Sequence, residues 1–455
     1  MYDIRIDIPE DVGKIITILN DKGYEAYIVG GCVRDSILKK SPKDWDITTS
    51  ALPDNVMDIF KILNYKVIPT GVKHGTVTVM INGEGYEITT YRIDGEYEKN
   101  RRPKEVEFTS SLRRDLERRD FTINAMAYNN EDGLIDYFGG IDDLKSKVIR
   151  AVGNPDKRFQ EDALRMMRAV RFMAQLEFFV EELTFKSIKN LSYNIENISI
   201  ERIRDEFNKL LIYDAFHIKT LIELGLLKYF INELVVCGYF NKNNSNDIFD
   251  VLTHCCKSAN AIKKQGHKST PLYLILTMLF HDIGKVRCKI KSEEGVDCSC
   301  NHELISKDIS REILSRMKYD NKTIEKVTTL IQWHEYPLVP DCKYIKKMLN
   351  KIGEEKLRDL IRVKRADIYA EDPRYCKEKY KDLNITLEIL EDIIKNNECY
   401  AIKDLKIKGS DLIEAGVVKG KDIGIILNAL LEKVIEEQSL NDKSTLISIV
   451  KQEFI

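Results

Sequence analysis

The sequence predicts an α+β protein, with a mixed sheet confined to the amino-terminal third and helices after it. Three observations carry this. Between residue 24 and about residue 153, short β-rich runs alternate with glycine turns: YEAYIVGG, DWDITT, YKVIP, HGTVTVMING, YEITTYR, VEFTS and LIDYF. Period-two alternation in TVTVMI and YEITTY is the pattern of strands that bury one face. From Asp156 onward glycine and proline are sparse and apolar residues recur at helical spacing, which predicts an all-α remainder. Between the strands, helices are predicted at 9–22, 53–63 and 119–127.

A chain of 455 residues exceeds one ordinary core and is expected to form several domains. Hydrophobic residues make up 43% and charged residues 32%, the balance of a globular protein in water. The formal net charge of -2 excludes a uniformly basic nucleic-acid binder, so any such contact uses local basic faces. The ten cysteines lack C-x-x-C spacing, and Cys298-Ser299-Cys300 is too tight for a standard zinc knuckle, so free thiols are expected. The start, MYDIRIDIPEDV, carries acids and a proline where a signal peptide has bases and an apolar run. The longest apolar run, Leu272 to Phe280, falls short of a bilayer span. A cytoplasmic location without membrane contact is expected. The polar tract NKNNSND at 241–247 reads as a linker, and a weaker break falls near Asp372-Pro373.

The densest chemistry lies at 29–49, VGGCVRDSILKKSPKDWDITT. Gly30 and Gly31 close an apolar run just before a predicted helix, where backbone N–H groups can approach phosphate oxygens. Asp44 and Asp46 flank Trp45, and alternation puts both carboxylates on one face of a short predicted strand. There they can share hard divalent cations, although a solvated strand edge is the ordinary alternative. Glu87, in an alternating strand, is expected to supply a third carboxylate. Such a trio can hold two Mg²⁺ ions, one at a ribose 3′-hydroxyl and one at the α-phosphate and leaving pyrophosphate. Arg34 complements a triphosphate as a bidentate donor. The predicted reaction is nucleotidyl transfer.

Two further clusters follow. In RRDFTINAMA, 118–127, paired arginines at a predicted helix start oppose the helix dipole unless an anion is near, so Arg118 and Arg119 are expected to meet phosphate or ribose. Between the clusters, the charged stretch 92–104, RIDGEYEKNRRPK, is expected to form a mobile loop near the site. In FQEDALRMMRAVRF, 159–172, Asp162 and Arg165 stand i, i+3 on a predicted helix, and Arg168 and Arg171 continue the row. A lone pair of this kind is usually a solvated ion pair, but a row of arginines repels itself without anionic company. A carboxylate that accepts beside a guanidinium that donates can meet a base edge with an amino donor next to a ring-nitrogen acceptor. Cytosine and adenine share that edge. Uracil and guanine reverse it, leaving groups unpaired at ~1–3 kcal/mol each.

These clusters together resemble the class II tRNA nucleotidyltransferase and poly(A) polymerase family over roughly residues 20–215. The resemblance implies a head similar to the DNA polymerase beta superfamily, followed by helical neck, body and tail. It implies Asp44 and Asp46 as Mg²⁺ ligands and Gly30, Gly31 and Arg34 as nucleotide-binding residues. Arg118, Arg119, Asp120 and Asn124 match its ribose and phosphate motif. Glu161, Asp162 and Arg165 match its templating motif, with Arg168 and Arg171 as further nucleotide contacts. Asp136 to Gly140 resembles its head–neck hinge, and the run from Ile200 to Glu206 its neck-stabilising motif, where Glu201 and Arg204 are equally ordinary ion-pair formers. The implied partners are CTP, ATP and tRNA lacking a complete 3′ CCA, held along Lys157, Arg158, the arginine row and the tail. The loop at 92–104, absent from enzymes resembling the CC-only type, favours addition of the whole CCA end. Addition of A alone, or of poly(A), is the alternative.

A second chemistry lies in the helical half. Seven histidines occur, and His254, His281-Asp282, His302 and His334 precede Asp367. A single histidine is ordinarily a satisfied polar residue. His281-Asp282-Ile283-Gly284-Lys285 directly after the apolar run LYLILTMLF resembles the HD superfamily of metal-dependent phosphohydrolases, over roughly 250–370. The resemblance implies one metal on His254, His281, Asp282 and Asp367, with His302 and His334 bringing a second metal or binding phosphate. Imidazole and carboxylate suit Mn, Ni, Fe or Mg. The expected division is a nucleotidyltransferase head at 1–150, a helical neck at 151–235, an HD-type domain at 248–370 and a tRNA-binding tail at 371–455. The competing class is an HD phosphohydrolase whose head only binds nucleotide or RNA.

Overall fold

The computed structural model describes residues 4–95, 97–98, 102–103, 106–239, 250–265, 269–288, 301–371, 373–417 and 421–454. The expected linker at 241–247, the Cys298-Ser299-Cys300 tract and Asp372 lie outside the described residues. The chain divides into two compact units, Met1–Val235 and Val236–Ile455.

The first unit holds a seven-stranded sheet. Its strands lie in the order Gly133–Asp136, Met126–Asn129, Ala26–Val29, Ile47–Thr49, Glu84–Thr90, Thr76–Ile81 and Lys66–Gly71. Neighbours are antiparallel except that Ile47–Thr49 runs parallel to Glu84–Thr90, with Ile47 opposite Ile88. The sheet is therefore mixed, as expected. Ala26–Val29 is buried at every position, which its uninterrupted apolar run requires. Helix Glu10–Asp21 lies on Ala26–Val29 and Ile47–Thr49 and buries Val12, Ile15, Ile16 and Leu19, one face at 3.6-residue spacing. Each such side chain contributes about 1.5–3 kcal/mol.

Three predictions for this unit need correction. Residues 119–127 are not a helix: a 3-10 turn, Thr122–Asn124, leads into strand Met126–Asn129. A short apolar run fits either period, and here pairing on both sides, with Ala26–Val29 and with Gly133–Asp136, decides for strand. The arginines consequently sit at a helix C-terminus, with Arg118 capping Leu112–Glu117, where cations suit the dipole. Second, the strand after Trp45 starts only at Ile47, so Asp44 and Asp46 stand in the loop that enters it. Third, the stretch at 92–104 is not simply a loop. Arg92–Asp94 pairs with Val106–Phe108, and Tyr97–Glu98 with Arg102–Pro103, as successive rungs of a hairpin.

The second unit is helical throughout its described residues. Asp250, Asp320, Asp341 and Asp442 start four of its helices by accepting from the backbone N–H of Thr253, Thr323, Tyr344 and Thr445. Each such cap is worth about 1 kcal/mol. Leu272–Phe280 is apolar on nearly all sides because it packs against Val251–Lys263, Asn321–Trp333 and Glu354–Ala370. A separate core farther along joins Leu412, Leu430, Val434, Leu446 and Val450. Cys32, Cys237, Cys255, Cys256, Cys342, Cys376 and Cys399 are free thiols, whereas Cys288 is disulfide-bonded, a departure from the all-thiol expectation.

Candidate active site and a helical metal cluster

Asp46 immediately precedes the strand Ile47–Thr49, and its carbonyl accepts from the backbone N–H of Val29 at 3.0 Å. Glu87 precedes Ile88, the residue opposite Ile47 in the parallel pair, so Glu87 lies on the strand next to the one that Asp46 leads into. Desolvation by surrounding protein raises the Asp46 pKa; Arg119 opposes this and the charge of Asp44 adds to it. Gly30 adopts φ +80°, and a Cβ there would stand 3.1 Å from the Arg119 guanidinium, so the glycine lets that side chain lie against the backbone.

Behind the carboxylates runs a chain of charge-assisted hydrogen bonds. Buried Arg34 donates to Asp35 at 2.8 Å and to the Asn124 amide oxygen at 2.7 Å, with its guanidinium 5.1 Å from the Phe172 ring. Asn124 donates to Asp120 at 3.0 Å, and Asp120 accepts from Arg168 at 2.8 Å. Burial works to raise the Asp120 pKa, but Arg168 and Asn124 more than reverse it and hold the carboxyl well below the usual range. Arg171 donates to Glu206 at 2.6 Å and to Gln175 at 2.7 Å. The self-repulsion expected of the arginine row is thus relieved by protein carboxylates.

The helix expected through 159–172 is broken. Pro155–Glu161 ends and Leu164–Leu176 begins around Asp162, whose backbone is extended at φ -136°. Across this break the backbone N–H of Arg165 donates to the Asp162 carbonyl at 3.0 Å. Asp162 accepts from Arg202 at 2.8 Å, while Arg165 donates to Glu161 at 2.7 Å and to the carbonyls of Arg158 and Arg118 at 3.0 and 2.6 Å. A cavity of about 180 Å³ adjoins them, lined by Arg114, Arg118, Lys157, Arg158 and Glu161 among others. In the hinge motif, Asp136 accepts from the backbone N–H groups of Gly140 and Ile141, both at 2.9 Å.

Sequence reasoning missed three residues here. Asp115, with its side chain 0% exposed, holds Arg118 at 2.6 Å and Arg119 at 3.2 Å, and also meets Thr48 of the strand Ile47–Thr49. Its signal was present, since Asp115 stands i−3 and i−4 from the two arginines. Arg202 and Glu206 lie within the neck-stabilising motif, where only Glu201 and Arg204 had been weighed.

In the second unit, helix packing gathers the histidines. Val251–Lys263 carries His254, Asn321–Trp333 is capped by His334, Glu354–Ala370 carries Asp367, and all three meet Leu272–Phe280, which His281 and Asp282 follow. Asp367 Oδ1 lies 2.9 Å from His254 Nε2 and 3.1 Å from His281 Nε2. His302 reaches Asp282 at 3.3 Å because Gly284 lets its helix approach: a Cβ at Gly284 would stand 2.6 Å from the His302 carbonyl and 2.7 Å from the Ser306 nitrogen. The Nδ1 of His281 meets the Met278 carbonyl at 2.8 Å and that of His334 the Ile331 carbonyl at 2.6 Å. A carbonyl only accepts, so Nδ1 carries a proton and Nε2 is turned inward, toward the carboxylates. Burial disfavours charge on His334, but Asp282 and Glu335 outweigh it and raise its pKa to about 10. Glu335 is the residue missed in this cluster, and its signal was a carboxylate next to a histidine.

Comparison with known proteins follows this geometry. Residues 26–150 match the family described as Poly A polymerase head domain. Residues 177–237 match one described as a probable RNA and SrmB-binding site of polymerase A, and 299–450 a putative tRNA nucleotidyltransferase domain 2. A CCA-adding enzyme of Ligilactobacillus salivarius is 36% identical, with 98% of each chain covered. The chain belongs to the CCA-adding enzyme family. The CCA-adding enzyme of Enterococcus faecalis is 33% identical over 98% of this chain and 96% of its own. Among solved structures, the Bacillus stearothermophilus CCA-adding enzyme in complex with CTP is 30% identical, with a TM-score of 0.68 over 97% of this chain and 96% of that one. The Thermotoga maritima CCA-adding enzyme, complexed with tRNA, shares the fold at 20% identity and a TM-score of 0.61, over 98% and 96%. As a CCA-adding enzyme family member the chain is a nucleotidyltransferase, with its mixed sheet in the first unit and helices beyond it. No helix among the described residues is long and apolar enough to cross a membrane.

Proposed function

We propose that this protein adds C, C and A to the 3′ end of tRNA from CTP and ATP, reading both bases with its own side chains. The observation that carries it is full-length similarity at 36% identity to a CCA-adding enzyme. The carboxylates at the mouth of the sheet fit a hard divalent cation, because Asp44 and Asp46 offer oxygen ligands, and desolvation, with the charge of Asp44 adding to it, raises the Asp46 pKa. Asp44 and Asp46, with Glu87 from the adjoining strand as the third carboxylate, would hold Mg²⁺, which when bound would supply charge neutralisation at the reacting phosphate. Arg119, anchored by Asp115 and laid against Gly30, faces the triphosphate, and Arg118 shares that anchor. Arg34, Asn124 and Asp120 position the sugar and phosphates. Asp162 accepts and Arg165 donates toward the shared edge of cytosine and adenine. A carboxylate has roughly four lone-pair sites and a guanidinium five N–H donors, so anchoring by Arg202 and Glu161 does not exhaust either. Head, neck, helical body and tail at 1–150, 151–235, 248–370 and 371–455 remain the working division. Sequencing products made from tRNAs ending before C, after CC and after CCA tests the reading. Extension of all incomplete ends to CCA is expected; extension of the CC end alone would make the enzyme A-adding.

A second activity is favoured by one observation: donor atoms of His254, His281 and Asp282 all lie within 4.8 Å of one another, with Asp367 Oδ1 2.9 and 3.1 Å from the two imidazoles. That donor set fits Mn, Ni, Fe or Mg. His254, His281, Asp282 and Asp367 would hold the ion, which when bound supplies an activated water for phosphoester hydrolysis. A phosphatase assay with added Ni²⁺ or Mn²⁺ should show activity that His281→Ala abolishes; no metal-dependent hydrolysis would leave the cluster a structural element.

A further inference from the structure

We propose that Glu335 is the fourth ligand of a second divalent-cation position, built from Asp282 Oδ1, His302 Nε2, His334 Nε2 and a Glu335 carboxylate oxygen. The inference rests on the metal-binding reading of the helical cluster and adds a ligand from outside the HD pattern.

Asp282 divides its oxygens between two sides. Its Oδ2 lies 3.5 Å from His254 Nε2 and 3.6 Å from His281 Nε2, toward Asp367. Its Oδ1 lies 3.3 Å from His302 Nε2 and 3.6 Å from His334 Nε2. Glu335 Oε1 closes that second side, 3.2 Å from His302 Nε2 and 3.5 Å from His334 Nε2. All four donor atoms lie within 4.8 Å of one another. Donors held about 2.1 Å from an ion in tetrahedral geometry stand roughly 3.4 Å apart, which is the spacing found here.

Hydrogen bonding does not account for the arrangement. The inward atoms of Asp282, His302 and His334 make no hydrogen bond of good geometry, although each has a carboxylate oxygen or imidazole nitrogen 3.2–3.6 Å away and Asp282 and His334 are 1% and 2% exposed. Leaving such buried polar atoms unsatisfied costs about 1–3 kcal/mol each, and a shared cation satisfies them together. The His334 Nδ1 bond to Ile331 keeps Nε2 turned toward Asp282 and Glu335. Glu335 stands on the solvent side, with its side chain 49% exposed. It borders a cavity of about 200 Å³ shared with His334, Lys364, Asp367 and Lys379, which gives an ion its way in. Each position then has two imidazoles and two carboxylate oxygens, and Asp282 bridges them.

The test counts Mn²⁺ bound to the full chain after chelator treatment, by calorimetry and electron paramagnetic resonance. The parent carries Asp44→Ala and Asp46→Ala, so that the transferase carboxylates do not add to the count. Two Mn²⁺ per chain with an exchange-coupled spectrum are expected. Adding Glu335→Gln or Glu335→Ala should leave one, with an uncoupled six-line spectrum and second-site affinity weakened at least about tenfold. The exposed side chain makes both variants foldable, and circular dichroism verifies it. Two ions of unchanged affinity in the Glu335 variants, or a single ion already in the parent, overturn this proposal and leave the metal-binding reading standing. No Mn²⁺ in the parent overturns both.

Discussion

The acids of the two units are held in opposite ways. Asp44 and Asp46 stand in an exposed loop at the entry to a strand, with Arg119 near Asp46. Asp282 and Asp367 sit among four histidines that four packed helices and a glycine turn bring together, and the inward nitrogens are fixed by backbone carbonyls. The first arrangement suits a cation that comes and goes with a triphosphate. The second suits one that stays. Oxygen ligands in the open favour exchange of a hard ion, whereas buried imidazoles favour retention of a transition metal.

Four predictions break or sharpen this contrast. Changing Asp44 and Asp46 together to Ala should lower incorporation of labelled CTP and ATP into tRNA lacking CCA by about 10³-fold or more, while metal content of the helical cluster stays. Incorporation at anything near the wild-type rate would remove the carboxylates from the reaction. Asp162→Ala and Arg165→Ala should each relax discrimination against UTP and GTP by roughly 5–100-fold, the equivalent of ~1–3 kcal/mol. Unaltered base choice in competition assays would end the templating reading. Asp115→Asn should raise KM for CTP and ATP alike, by about tenfold for a lost charge-assisted bond, without changing base choice. A lower kcat at constant KM would mean that Asp115 serves only the fold.

The smallest effect concerns pH. Folding lowers the Asp120 pKa, so its stabilisation is complete above the unfolded value, about 3.9, and fades as pH falls through the lower folded value. Urea midpoints should therefore separate wild type from Asp120→Asn by about 2 kcal/mol at pH 7, and the gap should shrink below pH 4. An equal gap at both pH values would assign the cost to packing.

Much of this was legible in the chain. The sheet followed from alternation, and the histidine set followed from the order of His254, His281-Asp282, His302, His334 and Asp367, which the helices do bring together. What failed, failed where local pattern underdetermines structure. Met126–Asn129 reads as helix until its two strand partners are known. The break at Asp162 is invisible to a periodicity argument, because Glu161 and Leu164 fit the helical pattern on either side of it. Arg202 and Glu206 act on Asp162, Arg168 and Arg171 from 35 to 40 residues away, a separation that spacing rules do not reach. Glu335 was overlooked because the resemblance supplied a complete ligand set without it.

Gly284 binds nothing, yet its missing side chain sets how near two helices come. The His302 carbonyl and the Ser306 nitrogen occupy the space that a β-carbon would take. Replacing it with alanine would push the helix His302–Arg316 outward by several tenths of an ångström, more than the ~0.2 Å within which metal–ligand distances are held. The approach of His302 to Asp282 is thus set partly at a position that a search for ligands would pass over.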